Sequence, residues 1–295
     1  MGSSQSYCLI VNKASNSGRA LSVVQSNWEE IQEKLEKVEL VEVDIHQSIA
    51  EIASKKSAFF DVIVACGGDG TARKVAIGLI GSNALFGLLP IGTGNDFAKM
   101  LGLTKSLSKN LDILANRAIQ NLDIIRFNDS YFINTLGIGF DGRTNYNASK
   151  STYLKGSIKY VLAGVQSLFT AKAFQATVNS EGENYSFKTM MIIVANGKWE
   201  GGRYLVSPES ENNDGLFEVI ILLSLSKSRL ALEFFRLSLG LKPSKSIFKS
   251  FKTSNAAINT SESVFLHADG EREKKVNSFN ISLVQEQIRV IKSLL

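Results

Sequence analysis

A chain of 295 residues is longer than one typical hydrophobic core serves, which predicts two domains. With 44% hydrophobic and 21% charged residues and only three prolines, the composition is that of a folded globular protein and excludes a disordered or low-complexity chain. The 33 basic against 28 acidic residues leave a net charge of +5, compatible with anionic membranes or nucleotides or with neither, and no interleaved basic and aromatic pattern points to nucleic acid.

The first 125 residues alternate strand and helix signatures. Tyr7–Asn12 is a short apolar run that ends in the polar, glycine-containing loop Lys13–Arg19, and nothing before it resembles a signal peptide. A helix over Ala20–Lys37, a strand over Glu39–Ile45 and a helix over Ser48–Lys56 follow. The apolar run Phe59–Cys66 stops at Gly67-Gly68-Asp69-Gly70-Thr71, where a helical segment begins. Leu85–Pro90 is a fourth strand, broken by Gly92-Thr93-Gly94-Asn95 before a helix over Asp96–Leu101. Near-continuous apolar strands alternating with helices predict a parallel sheet covered on both faces, a Rossmann-like α/β nucleotide domain. Cys8 and Cys66 lie inside two of those runs and read as buried thiols, neither a disulfide framework nor a metal site.

Beyond Ile125 short strands with turn signals take over: Tyr131–Leu136, Gln175–Asn179, Ser186–Ala195, Leu216–Leu223 and Ala257–Asn259. Asp-Gly pairs beginning at Asp141, Asp214 and Asp269 read as their hairpin turns. The longest apolar run, Leu216–Leu225, is interrupted by Glu218 and falls short of the roughly 20 residues that cross a bilayer. A long helix is inserted over Tyr153–Phe169, where Leu154, Ile158, Val161, Leu162, Val165, Leu168 and Phe169 form one apolar stripe, and a second spans Leu230–Leu239. The expected plan is an N-terminal α/β domain over 1–125, a mainly antiparallel β-sandwich over 126–284, a last stretch over 285–295 that can return to the first domain, and a cleft between the two.

The two glycine loops carry the chemistry. Glycines at a strand-to-helix junction let backbone N–H groups approach phosphate oxygens, and the helix N-terminus adds partial positive charge. Thr71 can cap that helix and offer a hydroxyl. The Asp69 carboxylate would repel phosphates unless a divalent cation lies between them or the acid handles a proton. Alone, Asp69-Gly70 is an ordinary turn; two preceding glycines, a buried strand before and a helix after favour phosphate binding. Pro90-Ile-Gly-Thr-Gly-Asn-Asp-Phe97 repeats the arrangement after the next strand, as an open α/β sheet builds a ligand crevice. Neither loop has the GxxxxGK[ST] pattern, and Phe97 stands where a GxGxxG fingerprint needs its third glycine.

Gly67-Gly-Asp-Gly-Thr71 resembles the loop shared by diacylglycerol kinases, sphingosine kinases, NAD kinases and phosphofructokinases, and Pro90–Ala98 is similar to the second motif of the diacylglycerol kinase branch. Leu136-Gly-Ile-Gly-Phe-Asp141, Val194-Ala-Asn-Gly197 with Gly201-Gly202, Ser207-Pro208, Asn213-Asp-Gly-Leu216 and Asp269-Gly-Glu271 follow in that family's order, so the resemblance runs from about Cys8 to Gln285. It implies a lipid kinase that moves the γ-phosphate of ATP onto the hydroxyl of diacylglycerol or a related lipid, giving a phospholipid such as phosphatidic acid.

By the same resemblance, ATP lies against Asn12, Gly67, Gly68, Asp69, Gly70, Thr71, Gly92, Thr93, Gly94, Asn95 and Asp96. Glu271 is implied as the base that accepts the hydroxyl proton, and Asp69 holds the Mg²⁺ that bridges the phosphates or shares the base role. A structural Mg²⁺ is implied at the Asp214 carboxylate and the Leu216 carbonyl, with Glu211 adding an oxygen; hard oxygen donors suit it. Asp123, like Asp96, matches an acidic position of the family's water-and-metal network. Without the resemblance, Asn213-Asp-Gly and Asp269-Gly-Glu read as hairpin turns and Asp123 as a strand end.

The chain departs from the family at two places. Lys13 stands where proline is usual, which loosens the turn and can add a phosphate-binding cation. Val43-Asp-Ile-His46 stands where relatives often present a threonine, so that contact does not carry over. His46 reads as a surface residue and His267, alternating with Phe265, as a structural strand residue.

Two other readings stay open: a kinase of a soluble acceptor such as NAD, and a nucleotide-binding regulatory protein without chemistry, against which the retained Asp69 and Glu271 argue. A lipid acceptor predicts an apolar cleft in the second domain lined from Tyr153–Phe169, and a cytoplasmic enzyme peripheral to the inner face of the membrane; a homodimer stays open. Lys242–Lys252 carries four lysines among Ile247, Phe248 and Phe251, which read either as a docking segment or as a strand with a buried apolar face.

Overall fold

The computed structural model describes residues 5–150, 166–167, 170–242, 244 and 246–294. The helix expected over Tyr153–Phe169 lies outside them except for Gln166 and Ser167, as does Lys245. The chain divides into two compact units, Met1–Ile124 with Gln285–Leu295, and Ile125–Val284.

The first unit runs β1 (Ser6–Asn12), α1 (Arg19–Ser26), α2 (Trp28–Lys34), β2 (Lys37–Val43), α3 (Ile49–Lys56), β3 (Val62–Gly67), α4 (Asp69–Gly78), β4 (Leu85–Pro90), α5 (Asp96–Met100), α6 (Leu107–Asn116) and β5 (Ala118–Leu122). Its sheet has the order β2-β1-β3-β4, then the C-terminal strand Ile288–Lys292, then β5. All neighbours are parallel except β5, which runs antiparallel to the C-terminal strand. Every residue of β3 is buried, as a strand covered on both faces requires, whereas β2 is largely accessible at the sheet edge. The helix expected over Ala20–Lys37 is two helices. Asn27 leaves helical geometry (φ −117°, ψ 20°) and its side-chain Nδ2 donates to the Val23 carbonyl at 2.7 Å, a local bond that competes with the helical ladder.

The second unit is antiparallel. Its strands are β6 (Ile125–Phe127), β7 (Ser130–Phe132), β8 (Thr135–Gly139), β9 (Phe174–Ser180), β10 (Glu183–Ala195), β11 (Trp199–Glu200), β12 (Tyr204–Leu205), β13 (Phe217–Leu223), β14 (Phe248–Thr253), β15 (Asn255–Val264), β16 (Leu266–Ala268), β17 (Glu271–Arg272) and β18 (Val276–Leu283). Helix α7 (Phe140–Lys150) follows β8 and α8 (Lys227–Ser238) follows β13. The long β10 pairs with β9 along its first half and with β8 and β13 along its second, the register slipping between Thr189 and Met191. Alternation along β10 feeds two cores. Ile192 and Val194 pack with Ile138, Phe217 and Phe279, while Met191 and Ile193 pack with Leu222, Leu230 and Phe248.

Two local expectations are corrected and one open reading is decided. Asp141-Gly142 is no hairpin turn; both residues lie in the first turn of α7, and a Cβ on Gly142 would stand 2.3 Å from the Phe265 carbonyl oxygen, so glycine here permits close packing. The strand expected over Tyr131–Leu136 is broken, because the N–H groups of Ile133, Asn134 and Thr135 donate to the Asp269 carboxylate rather than to a neighbouring strand. In the Lys242–Lys252 segment Ile247 and Phe248 are buried in the core and Phe248–Thr253 is β14, so the strand reading holds there.

Candidate active site

In the first unit β3 and β4 end level with one another, Gly67 opposite Pro90, which brings the two glycine loops side by side. A Cβ on Gly92 would stand 2.3 Å from the Gly68 Cα, so the loops touch backbone to backbone there only because position 92 is glycine, while a Cβ on Gly67 would stand 2.5 Å from the Thr71 Oγ1 within its own loop. Asn95, at φ +53°, closes the second loop on itself: its Oδ1 accepts from the Gly92 N–H at 3.0 Å and its Nδ2 donates to the Gly92 carbonyl at 2.9 Å. Thr93 is exposed at the tip and Gly94 is half-buried beside it.

Gly68 is the N-cap of α4, with Asp69, Gly70 and Thr71 as its first turn. The N–H groups of a helix's first turn have no carbonyl partner within the helix and favour an anion. The Thr71 hydroxyl accepts from the Asn12 Nδ2 at 3.3 Å and lies 3.0 Å from the Ser15 Oγ, which fastens the loop after β1 to this spot. Asp69 reaches the second loop, where its Oδ1 accepts from the Phe97 N–H at 3.0 Å. The buried Asp96 carboxylate is paired with the Lys99 ammonium at 2.9 Å. A nucleotide triphosphate fits this glycine-lined surface at the start of α4, and the Asp69 carboxylate at its edge fits a cation carried with the phosphates.

Lys13 does not turn to this surface. Its ammonium lies 2.9 Å from Asp44 and 3.7 Å from Glu42 at the end of β2, so the two departures from the family pattern, Lys13 and Asp44, pair with one another. The neighbouring carboxylates raise the Lys13 pKa, the Asp44 hydrogen bond most of all. His46 is exposed. Asp123, just beyond β5, is buried and accepts from the Gln287 Nε2.

In the second unit Asp269 (φ +48°) and Gly270 (φ +75°) form the two-residue turn between β16 and β17, and Glu271 is the first residue after it. The turn is held firmly. Besides the three N–H bonds to the Asp269 carboxylate, Asn145 Nδ2 donates to the Gly270 carbonyl at 2.6 Å, and the Gly270 N–H donates to the His267 Nδ1 at 3.3 Å.

His267 belongs to a cluster that spacing alone did not reveal. Its Nε2 lies 2.9 Å from Asp141 Oδ2 and 2.8 Å from Glu200 Oε1, and the Thr135 hydroxyl donates to Glu200 Oε1 at 3.1 Å. Glu200 Oε2 is buried without a hydrogen-bond partner. Burial, with the Asp141 charge, pushes the Glu200 carboxyl up to about 7 against the pull of His267. Burial disfavours the imidazolium of His267, but the two carboxylates outweigh it and hold the group well above its ordinary value. Burial likewise opposes ionisation of Asp141, yet His267 keeps that carboxyl below its usual range. Among the described residues these are the one group of three histidine, cysteine or carboxylate side chains with ligand atoms within 4.8 Å of one another; Asp69, Asp96 and Asp123 are not drawn into such a group. The usable signal was the position of the three residues inside or beside family motifs.

The folded chain holds a proton on Glu200 up to about pH 7, where an ordinary glutamate releases it near 4.5, and His267 is raised in the same sense. The folded state thus binds more protons than the unfolded one above pH 4.5, and stability falls as pH rises through this window. Glu200→Gln is expected to flatten that fall, its melting temperature gaining on wild type more at about pH 8 than at about pH 5. Parallel melting curves that stay offset by the same amount at both pH values would contradict it.

At the proposed Mg²⁺ turn, Asp214 Oδ1 accepts from its own Leu216 N–H at 3.1 Å, and Oδ2 is bound by the Lys252 ammonium at 2.7 Å, while Glu211 is exposed. The oxygens suit a hard cation only if Lys252 yields the one it holds. If it does, Mg²⁺ raises the melting temperature of the wild type, not of Asp214→Ala, and more strongly in Lys252→Gln; bound at 100 times its Kd it adds about 2.7 kcal/mol. An equal response in Asp214→Ala removes the site.

The family described as "Diacylglycerol kinase catalytic domain" matches residues 6–127, and "YegS C-terminal NAD kinase beta sandwich-like domain" matches residues 134–292. A protein of Bacillus subtilis (strain 168) named "Diacylglycerol kinase" is 32% identical over 229 residues, 74% of either chain. A crystal structure of a diacylglycerol kinase from Bacillus anthracis str. Sterne superposes with TM-score 0.77 over 100% of this chain and 99% of that one, at 19% identity. An NAD kinase from Archaeoglobus fulgidus in complex with ATP gives TM-score 0.53 over 98% and 94%, at 16% identity, a likeness of fold. By its two matched regions, its glycine loops and its two-unit architecture, this chain belongs to the diacylglycerol kinase family of lipid kinases.

Proposed function

We propose that this chain transfers the γ-phosphate of ATP to the hydroxyl of diacylglycerol or a related long-chain alcohol, giving phosphatidic acid or its analogue. The observation that carries the reading is the paired glycine loop, backbone against backbone at Gly68 and Gly92, with Asp69 linking the two loops through the Phe97 N–H. Backbone donors at the start of α4 and at the tip of the second loop orient the phosphates, which is most of what phosphoryl transfer asks of a protein. Mg²⁺ bound with the nucleotide supplies the charge neutralisation that lets phosphate and the Asp69 carboxylate coexist. Glu271 takes the proton of the acceptor hydroxyl.

A lipid acceptor is supported by the printed name of the Bacillus subtilis relative and by the second unit's own walls. A concavity of about 480 Å³ there is lined by Phe140, Phe174, Val264 and Phe265 together with the charged Arg143, Lys172, Lys275 and Glu262. Such a mixed wall suits acyl chains that end in a polar headgroup. Among the described residues no helix is long and apolar enough to cross a membrane, so peripheral association with the inner membrane face is proposed for the encounter with substrate.

The test is transfer of radiolabel from γ-labelled ATP to an acceptor panel: diacylglycerol, monoacylglycerol, ceramide, sphingosine, phosphatidylglycerol, undecaprenol and NAD. Label in a long-chain alcohol and none in NAD is expected. Label in NAD alone would move the activity to a soluble acceptor, and none in any would leave a nucleotide-binding protein without chemistry.

A further inference from the structure

Helix α8 carries large apolar side chains on the face away from the core. Leu232 is 59% exposed and Phe235 62%, and beyond the helix end Leu239 is 62% and Leu241 46% exposed. Leu232, Phe235 and Leu239 recur at i, i+3 and i+7, one stripe along the helix. The opposite stripe, Leu230, Glu233 and Leu237, is buried, its leucines in the core with Ile220, Leu222, Ile247 and Phe248. Among the described residues the other exposed large apolar residues, Ile45, Phe59, Ile119 and Leu294, belong to the first unit and are scattered along the chain, Ile119 on β5 and the rest outside helices and strands. The stripe is therefore a patch, and it survives although nothing in core packing requires it.

The outward charges of this segment have one sign. Arg229 and Arg236, three before and four after Leu232, border the stripe, and Lys227 and Lys242 stand at its ends. The one acid of this segment, Glu233, is turned inward, where it accepts from the Ser244 N–H at 3.0 Å and lies 3.4 Å from Arg236 Nε. Apolar residues in a row, cations along their edge and no outward carboxylate are the pattern of a helix that lies in a lipid interface. A second copy laid on the stripe would set arginine against arginine with no carboxylate from this segment to pair them, which disfavours a self-association surface.

We propose that α8, with the Gly240-Leu241-Lys242 turn behind it, is the surface by which this chain docks on an anionic bilayer. Leu232, Phe235, Leu239 and Leu241 enter the acyl boundary, and Arg229, Arg236, Lys227 and Lys242 meet the phosphates of the headgroups. The assignment rests on the lipid-acceptor reading, since a bilayer-resident substrate is what gives the surface its use. It also moves docking from the lysine-rich β14 segment, whose apolar side chains are partly spent on the core, to the helix before it.

The test is co-sedimentation of the full chain with vesicles of phosphatidylcholine alone or mixed with phosphatidylglycerol, at low and high salt. Two variants are compared: Leu232→Ser with Phe235→Ser and Leu239→Ser, and Arg229→Glu with Lys242→Glu. All substituted side chains are exposed, and circular dichroism and melting curves confirm that both variants fold. The wild type is expected to bind the anionic vesicles in preference, less so at high salt. Each variant is expected to lose roughly tenfold or more in partitioning, while phosphorylation of short-chain dioctanoylglycerol in solution is retained. Anionic-vesicle binding by the serine variant equal to wild type overturns the proposal. So does a wild-type dimer that this variant dissociates while vesicle binding is kept, which would make the stripe a contact between copies. Vesicle binding that follows the prediction in a wild type unable to phosphorylate dioctanoylglycerol supports the docking surface and counts against the lipid-kinase reading alone.

Discussion

Asp69→Asn is expected to lower phosphoryl transfer by roughly 10²-fold or more while leaving the fold in place, the scale seen when one electrostatic stabiliser is removed from a site. The substitution is close to isosteric. The amide oxygen it introduces can still accept from the Phe97 N–H, the bond that ties the first glycine loop to the second, so the loops keep their approach. Only the negative charge is lost, and with it the group that balances a divalent cation against the phosphates. Asp69→Ala would remove the Phe97 bond as well and confound structure with chemistry. The measurement is kcat with the melting temperature beside it. Turnover near wild type in Asp69→Asn would remove the residue from the chemistry, whatever its place in the loops.

Glu271→Gln is expected to lower kcat by about 10²- to 10⁴-fold with the affinity for ATP nearly unchanged, the usual contribution of a positioned general base. An amide of the same size cannot take a proton. The turn that presents this residue is held by the Asp269 carboxylate, Asn145 and His267, so removing one carboxylate charge at position 271 leaves its anchoring intact. Nucleotide affinity is expected to hold because a general base acts on the proton of the acceptor hydroxyl and not on the phosphates. A weakened ATP affinity with an unaltered rate once bound would make Glu271 a binding residue.

The α/β character of the first unit is legible in the sequence because a parallel strand covered on both faces must be apolar throughout, and β1, β3 and β4 are. That both glycine runs end such strands is legible for the same reason. The expectation that the two loops share one crevice requires β3 and β4 to be neighbours, as they are, but the direct contact of Gly68 with Gly92 is not legible, because a pattern of apolar residues carries no distances.

Lys13 and Asp44 read as two unrelated departures and are one ion pair, visible only once β1 lies beside β2. Asp-Gly propensity serves a hairpin turn and a helix's first turn alike, and it misleads at Asp141 while describing Asp269. The break in the strand after Phe132 has its cause in Asp269, more than a hundred residues later in the chain. The cluster of Asp141, Glu200 and His267 was hidden in the same way: each residue has an ordinary local reading, and the three meet only because β16 pairs with β8, α7 follows β8, and β11 is fastened to Asn134 and Thr135 by hydrogen bonds.

The most direct test of the central claim is the stoichiometry of a single reaction, followed by phosphorus NMR in mixed micelles of diacylglycerol with ATP and Mg²⁺. The account predicts one phosphatidic acid formed for each ADP, with both signals absent in Asp69→Asn over the same time. ADP accumulating without a lipid phosphate, or the phosphate appearing on a soluble acceptor in preference to the lipid, would contradict it.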